Sequence, residues 1–191
     1  MRLVVVGCSG SGKTTMARAL ARALDLPHVE LDALNWEPGW RALTEEDPAA
    51  FFARVAAAAE GERWVMDGNY TKTRDAHWSR ATAIIWMDTP RGRVMRQVVW
   101  RSLTRAIGKR ELWAGTGNKE LFRKWLDKEH PIRWAWDTWA MVRARYEDWF
   151  ANGVYEGRPV YRVTTVRDAK RLVARLAVEQ ALPKPVSSTI L

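Results

Sequence analysis

The chain has 191 residues, of which 47% are hydrophobic, enough for one well-buried core and short for two. No apolar run approaches the roughly 18 residues of a membrane span. "LVVVGC" is shorter than the roughly 7 to 15 apolar residues of a signal peptide, so a cytoplasmic protein without a membrane partner is expected. The single cysteine, Cys8, excludes an internal disulfide and suits a reducing compartment.

The net charge of +9 is unevenly spread: residues 1–90 hold 10 Lys/Arg against 12 Asp/Glu, and residues 91–191 hold 21 against 10. The second half must therefore face something anionic or water. Seven of the twelve tryptophans fall between Trp100 and Trp149, which is unlike a plain helical linker.

In chain order, "RLVVV" is a β-branched apolar run ending at Gly7, as in a buried parallel strand. From Thr14, residues Met16, Leu20 and Leu24 recur at a spacing of four, predicting a helix that ends before Pro27. "HVELDAL" reads as a second strand. "DPAAFFARVAAAAE" reads as a helix with Pro48 in its first turn and Phe51, Val55 and Ala59 on one face. "RWVMDGNY" and "TAIIWMDTP" are two more strands, each ending in an aspartate. "PVYRVTTV" is a fifth, followed by a helix for which Asp168 can act as cap and whose apolar positions include Leu172, Val173 and Leu176.

Strands alternating with helices predict an α/β three-layer fold with a five-stranded parallel sheet in the order 2-3-1-4-5. We expect one domain over residues 1–182. About seventy residues separate the fourth and fifth strands, more than a crossover needs, so a helical, Trp- and Arg-rich lid is expected over about 104–140. The tail, 183–191, holds two prolines among small polar residues and is expected to be disordered.

Gly7, Cys8, Ser9, Gly10, Ser11, Gly12, Lys13 and Thr14 match G-x-x-x-x-G-K-[ST] in full, between a strand and a helix. In such a loop the backbone N–H groups turn inward around a phosphate, at the positive end of the following helix. Gly7, Ser9, Gly10, Ser11, Gly12, Lys13, Thr14 and Thr15 are thus the expected nucleotide-binding residues. Lys13 would reach the β and γ phosphates, and the Thr14 hydroxyl would bind Mg²⁺. Cys8, inside the loop, reads as a small filler.

A carboxylate for the magnesium can come from Asp67 or Asp88. Asp67 is preferred because Gly68 follows it and would let a ligand approach the backbone, whereas Thr89-Pro90 after Asp88 suits a helix start. "NKEL" at 118–121 has Leu121 where a guanine-reading motif needs aspartate, so the nucleotide is read as ATP.

Together these residues resemble the P-loop kinases of the adenylate kinase and shikimate kinase group. "MDGNYTKTR" is similar to the Asp-Gly-Phe-Pro-Arg signature of adenylate kinases in its first two residues, with Asn69 and Tyr70 in place of Phe-Pro. The segments "GCSGSGKTT", "HVELDALNWEPGW", "RWVMDGNYTKTRD", "IIWMDTPR" and "RELW", then "GNKE", resemble over residues 2 to about 150 the bacterial adenylate-kinase-like "DNA topology modulation" FlaR-like family.

Glu30 and Asp32 alternate onto one face of the second strand, and the pair is similar to the Asp-x-Asp of shikimate kinases. By that analogy Asp32 would orient or deprotonate an acceptor hydroxyl. Asp32 can equally cap a turn, and Glu30 can simply be solvated. Trp36 and Trp40 could wall a ring-containing acceptor or belong to the core, while Gly68, Asn69 and Arg74 complete the expected acceptor side.

Between Arg91 and Arg110 lie seven basic residues and no acid. Arg101, Arg105 and Arg110 are the candidates to stabilise the transferring phosphoryl, with Arg133 opposite. The expected function is transfer of the γ-phosphoryl of MgATP to a small-molecule or nucleotide hydroxyl or phosphate, by a monomer or homodimer. A nucleic-acid-associated ATP-binding protein, suggested by the basic half and its tryptophans, and an ATP-binding regulator without chemistry are the alternatives.

Overall fold

The computed structural model describes residues 1–108, 111–119, 130–153 and 157–182. In chain order the elements are β1 (Arg2–Val6), α1 (Lys13–Leu24), β2 (His28–Glu30), α2 (Leu31–Asn35), β3 (Trp36–Glu37), β4 (Arg41–Ala42), α3 (Leu43–Glu46), α4 (Pro48–Ala59) and β5 (Trp64–Asp67). There follow a 3-10 turn (Thr71–Thr73), α5 (Arg74–His77), β6 (Ala83–Met87), α6 (Arg91–Gly108), α7 (Pro131–Ala151), β7 (Val160–Val163) and α8 (Val166–Ala181).

The main sheet is parallel, with β1 in the middle: Val4 lies opposite Met66 of β5 on one side and Ile84 of β6 on the other. β2 adds beyond β5 and β7 beyond β6, giving β2-β5-β1-β6-β7. Counting only these five strands, the order is 2-3-1-4-5. The fold is therefore the expected α/β P-loop architecture.

Period-two alternation in "LVVV" feeds both layers. Leu3 and Val5 pack with Met16, Leu20 and Leu24 of α1 and with Leu172 and Leu176 of α8. Val4 and Val6 pack on the other face with Trp64, Met66, Ile84, Trp86 and Tyr146. α4 starts where expected: Asp47 accepts from the Ala50 amide at 3.0 Å, Pro48 occupies the first turn, and Phe51, Val55 and Ala59 are buried.

Two local expectations are corrected. "HVELDAL" is strand only to Glu30; Leu31 begins α2, because its side chain turns into a cluster with Leu43, Phe51 and Val55 instead of continuing the edge. Glu30 and Asp32 therefore do not alternate along one strand. The cap of α8 is Thr165 rather than Asp168: the Thr165 hydroxyl accepts from the Asp168 amide, and Asp168 accepts from the Thr165 amide, a reciprocal capping box. The "WEPGW" segment folds into the β3–β4 hairpin, with Gly39 and Trp40 at φ 77° and 64°.

The span 104–140 divides into the last turns of α6, the first half of α7, and residues 111–119, which lie over the hairpin. Ala135 of α7 packs against Val94 and Val98 of α6. Lys109, Arg110, residues 120–129 and the tail 183–191 lie outside the described residues. Among the described residues no helix is long and apolar enough to cross a membrane.

Candidate functional site

The glycine loop joins β1 to α1 at the carboxyl end of the central strand. Gly7, Gly10 and Gly12 all have positive φ, and a side chain on Gly10 would meet Val98 Cγ2 at 2.0 Å, so the loop is pressed against α6. Gly12 is the N-cap of α1 and no side chain caps that end, which leaves the first amides of the helix open to an anion.

The loop's shape is held from outside. Thr89 Oγ1 donates to the Ser11 carbonyl at 2.8 Å. The Asn69 carboxamide donates to the Gly7 carbonyl at 2.6 Å and accepts from the Gly7 amide at 3.4 Å. Lys13 Nζ, half-buried, folds back onto the Cys8 carbonyl at 3.0 Å. Cys8 is the expected filler, buried among Val94, Val98 and Ala135, and burial pushes its thiol up. Ser9 is half-buried, Thr15 is exposed, and Ser11 Oγ is buried with no hydrogen-bond partner among the described residues.

Burial lowers the Lys13 ammonium below the ordinary lysine range, with Asp32 and Asp67 acting to hold its proton and Arg101 acting against it. Those four charges thus share one locale. Arg101 reaches it from α6, with Arg105 one turn further along. Arg110 lies outside the described residues. Arg133 is exposed on α7 and donates to Asp137 at 2.7 Å.

Asp67 ends β5 almost completely buried, at 3% exposure. Thr14 Oγ1 donates to its Oδ2 at 2.7 Å, and His28 Nε2 approaches its Oδ1 at 2.6 Å. With the carboxylate ionised, Nε2 carries the proton and donates. Asp88, the competing carboxylate, instead accepts from Arg143 and Arg162, and is neither beside Thr14 nor a helix cap. The carboxylate beside Arg143 raises that guanidinium.

No group of three or more His, Cys, Asp or Glu among the described residues is placed to hold a metal by itself. One hydroxyl and one carboxylate, Thr14 and Asp67, do fit a hard divalent cation that takes its remaining ligands from phosphate and water. Uncapped amides, an orphaned serine hydroxyl and a lysine resting on a carbonyl are the features a polyphosphate would satisfy.

The acceptor side departs further from expectation. Asp32, in the first turn of α2, accepts from Tyr70 Oη at 2.7 Å through Oδ1, while its Oδ2 has no hydrogen-bond partner among the described residues. Burial and the adjacent Asp32 charge push the Tyr70 phenol up, so it stays a donor. Glu30 accepts from Arg18 at 3.3 Å and from the Trp113 indole at 3.4 Å. Burial, then Asp67 and Asp32, raise its carboxyl.

Trp36 is stacked on Trp113 at 6.0 Å between ring centroids and meets Trp40 edge-on at 5.6 Å. Asn118 bonds the Glu37 carbonyl and the Trp40 amide at 2.9 and 3.0 Å, tying residues 111–119 to the hairpin.

Three residues expected on the acceptor side are engaged elsewhere. At Gly68 a Cβ would strike Leu31 at 2.8 Å, which by itself requires glycine there. Asn69 is committed to Gly7 and to Tyr146 Oη, which donates to it at 3.0 Å. Arg74 lies over the Trp149 ring at 5.2 Å. Sequence reasoning missed His28, Trp113, Asn118 and Tyr146 as neighbours of the site. Each acts across 39 or more residues, and no local pattern marks them.

The strand order and the glycine loop are those of the P-loop α/β fold. A family model described as "ATPase family associated with various cellular activities (AAA)" matches residues 3–88. The chain is 34% identical over 100 residues to a shikimate kinase of Symbiobacterium thermophilum, a stretch covering 46% of this chain and 58% of that enzyme. The match thus spans little more than half of the relative's length.

Among solved structures, shikimate kinase from Bacteroides thetaiotaomicron superposes with a TM-score of 0.58 at 17% identity, covering 95% of this chain and 99% of that one. An unliganded sugar kinase from Janibacter sp. HTCC2649 superposes with a TM-score of 0.52 at 17% identity, covering 94% and 95%. At these identities the structural likeness concerns the fold.

Proposed function

We propose that the chain is an ATP-dependent phosphotransferase that moves the γ-phosphoryl of MgATP to a hydroxyl of a small acceptor. The observation that carries this reading is the Thr14–Asp67 hydrogen bond of 2.7 Å beside Lys13, at the uncapped amino end of α1. The open amides at the amino end of α1 and the Lys13 ammonium hold the phosphate tail. Thr14 and Asp67 hold the magnesium, which when bound neutralises charge on the phosphate oxygens.

Asp32 accepts the acceptor's hydroxyl proton on Oδ2 as the hydroxyl oxygen bonds to the γ-phosphorus and the bridging bond to the β-phosphate breaks, leaving ADP. Tyr70 holds the other Asp32 oxygen and so fixes the direction of the free one. Arg101, with Arg105 on the same helix face, balances the charge on the transferring group.

We infer a single domain over 1–182 with 104–140 as its lid, acting in the cytoplasm, and akin to the FlaR-like group that the opening segments resemble. A second reading, ATP-linked nucleic-acid binding, is favoured by one observation. Arg93, Arg96 and Trp100 share an exposed face of α6, and neither arginine has an ion pair among the described residues. The test is transfer of labelled γ-phosphate to an acceptor panel. Mg²⁺-dependent product formation, falling by roughly 10² or more in Asp32→Asn at retained ATP binding, supports the transferase. ATP binding without product, together with salt-sensitive nucleic-acid binding lost in Trp100→Ala, supports the second reading.

A further inference from the structure

Among the described residues the acceptor side gathers the carboxylates Glu30 and Asp32 beside Asp67, and the neighbouring cations are already engaged. Glu30, Asp32 and Asp67 lie close enough for each of the other two to disfavour ionisation of Glu30. Arg18 is paired with Glu30 at 3.3 Å, and Arg54 with Glu37 at 2.6 Å. Arg74, the cation expected to meet an anionic acceptor, lies over Trp149. Lys13 and Arg101 are on the nucleotide side, where the phosphate tail takes their charge. Beside the carboxylates stands an aromatic wall: Trp36, Trp40 and Trp113 in mutual contact, with the Trp113 indole hydrogen-bonded to Glu30.

An acceptor carboxylate or phosphate here would face like charges in a partly buried setting, with no unengaged counter-ion beside it among the described residues. Hydroxyl or ammonium groups would meet acceptors already waiting: Oδ2 of Asp32, which has no hydrogen-bond partner among the described residues, and the Glu30 carboxylate. Indole faces suit the C–H side of a saturated ring, and tolerate a cation. We propose that the acceptor is a polyhydroxylated molecule bearing no carboxylate or phosphate, whose hydroxyls meet Asp32 and Glu30 and whose apolar face packs on the Trp36–Trp40–Trp113 wall. This rests on the phosphotransferase reading and narrows it to a charge class.

The test uses the full chain with MgATP and acceptors matched in shape but not in charge: a sugar, the corresponding amino sugar and sugar acid, and a nucleoside with its monophosphate. kcat/KM for the uncharged and amino members exceeds that of their anionic counterparts by about 10²-fold. Glu30→Gln narrows that ratio about tenfold by raising the anionic member, whereas Glu30→Asp, which keeps the charge, preserves it. Preference for the sugar acid or the monophosphate, or an unchanged ratio in Glu30→Gln with an unaltered melting temperature, overturns the charge assignment while leaving the transferase reading intact. Absence of transfer to every member overturns both.

Discussion

Asn69 brackets Gly7: its carboxamide donates to the Gly7 carbonyl and accepts from the Gly7 amide, as a neighbouring strand would. Tyr146 of α7 holds the same amide oxygen, so a helix 77 residues away fixes the entry of the phosphate loop. Truncation to Asn69→Ala leaves two backbone groups unpaired, which costs about 1–3 kcal/mol of stability. Denaturant unfolding checks that figure, and titration with a non-hydrolysable ATP analogue checks the accompanying loss of affinity. Tyr146→Phe, which keeps the ring, has the smaller effect, about 1 kcal/mol.

Gly10 touches α6 through a Cβ position that Val98 already fills, at 2.0 Å, and its φ is 77°. Gly10→Ala therefore meets both a clash and a left-handed backbone, together worth about 3 kcal/mol or more. Val98→Ala in the same chain relieves the clash and not the backbone strain. The double variant melts above Gly10→Ala and below Val98→Ala alone.

His77 is buried and its pKa is pushed down to about 4 by that burial, against a hydrogen bond to the Thr73 carbonyl. Unfolding restores an ordinary imidazole near 6.5, so between about pH 6.5 and 4 the unfolded chain binds the extra proton. Stability is full above that window and falls as the pH drops through it, by up to about 3 kcal/mol. Unfolding free energy measured from pH 7.5 to 4 shows a steeper fall for the native chain than for His77→Gln, and equal slopes above pH 7.

His28 holds one oxygen of Asp67 so that the other faces Thr14. Removing such a partner of a metal-site carboxylate typically weakens metal affinity 10- to 100-fold. His28→Ala raises by about that factor the Mg²⁺ concentration at which an ATP analogue binds half-maximally. Affinity for the analogue without metal changes by less than twofold.

What could be read in the chain was what is local. The motif from Gly7 to Thr14, the helix behind it, and the apolar runs around Val4, Met66 and Ile84 each announce themselves within a few residues, and the strand order follows from their alternation. Gly68, which separates Asp67 from Asp88 in the sequence, is required in the fold by the close approach of Leu31.

Asp32 is singled out in the sequence on a premise that fails: alternation along "HVELDAL" requires a strand, and the strand ends at Glu30. Its carboxylate meets the site from a helical turn, oriented by Tyr70. The bond of Asn69 to Gly7, and any role of His28 or Trp113, give no local signal, because the partners Gly7, Asp67 and Glu30 lie 62, 39 and 83 residues away. Arg74 misled because a cation after an Asp-Gly pair can serve an indole as well as a phosphate.

The central claim is that the loop from Gly7 to Thr14, with Lys13 and Asp67, is a nest for a metal-bound triphosphate. Calorimetric titration of the full chain with a non-hydrolysable ATP analogue tests it most directly, with and without Mg²⁺, for the native chain, Lys13→Ala and Asp67→Asn. The account predicts one saturable site per chain that tightens with Mg²⁺, weakens about 10²-fold or more in Lys13→Ala, and loses its Mg²⁺ response in Asp67→Asn. Binding that is unchanged by either substitution, or no saturable binding, contradicts it.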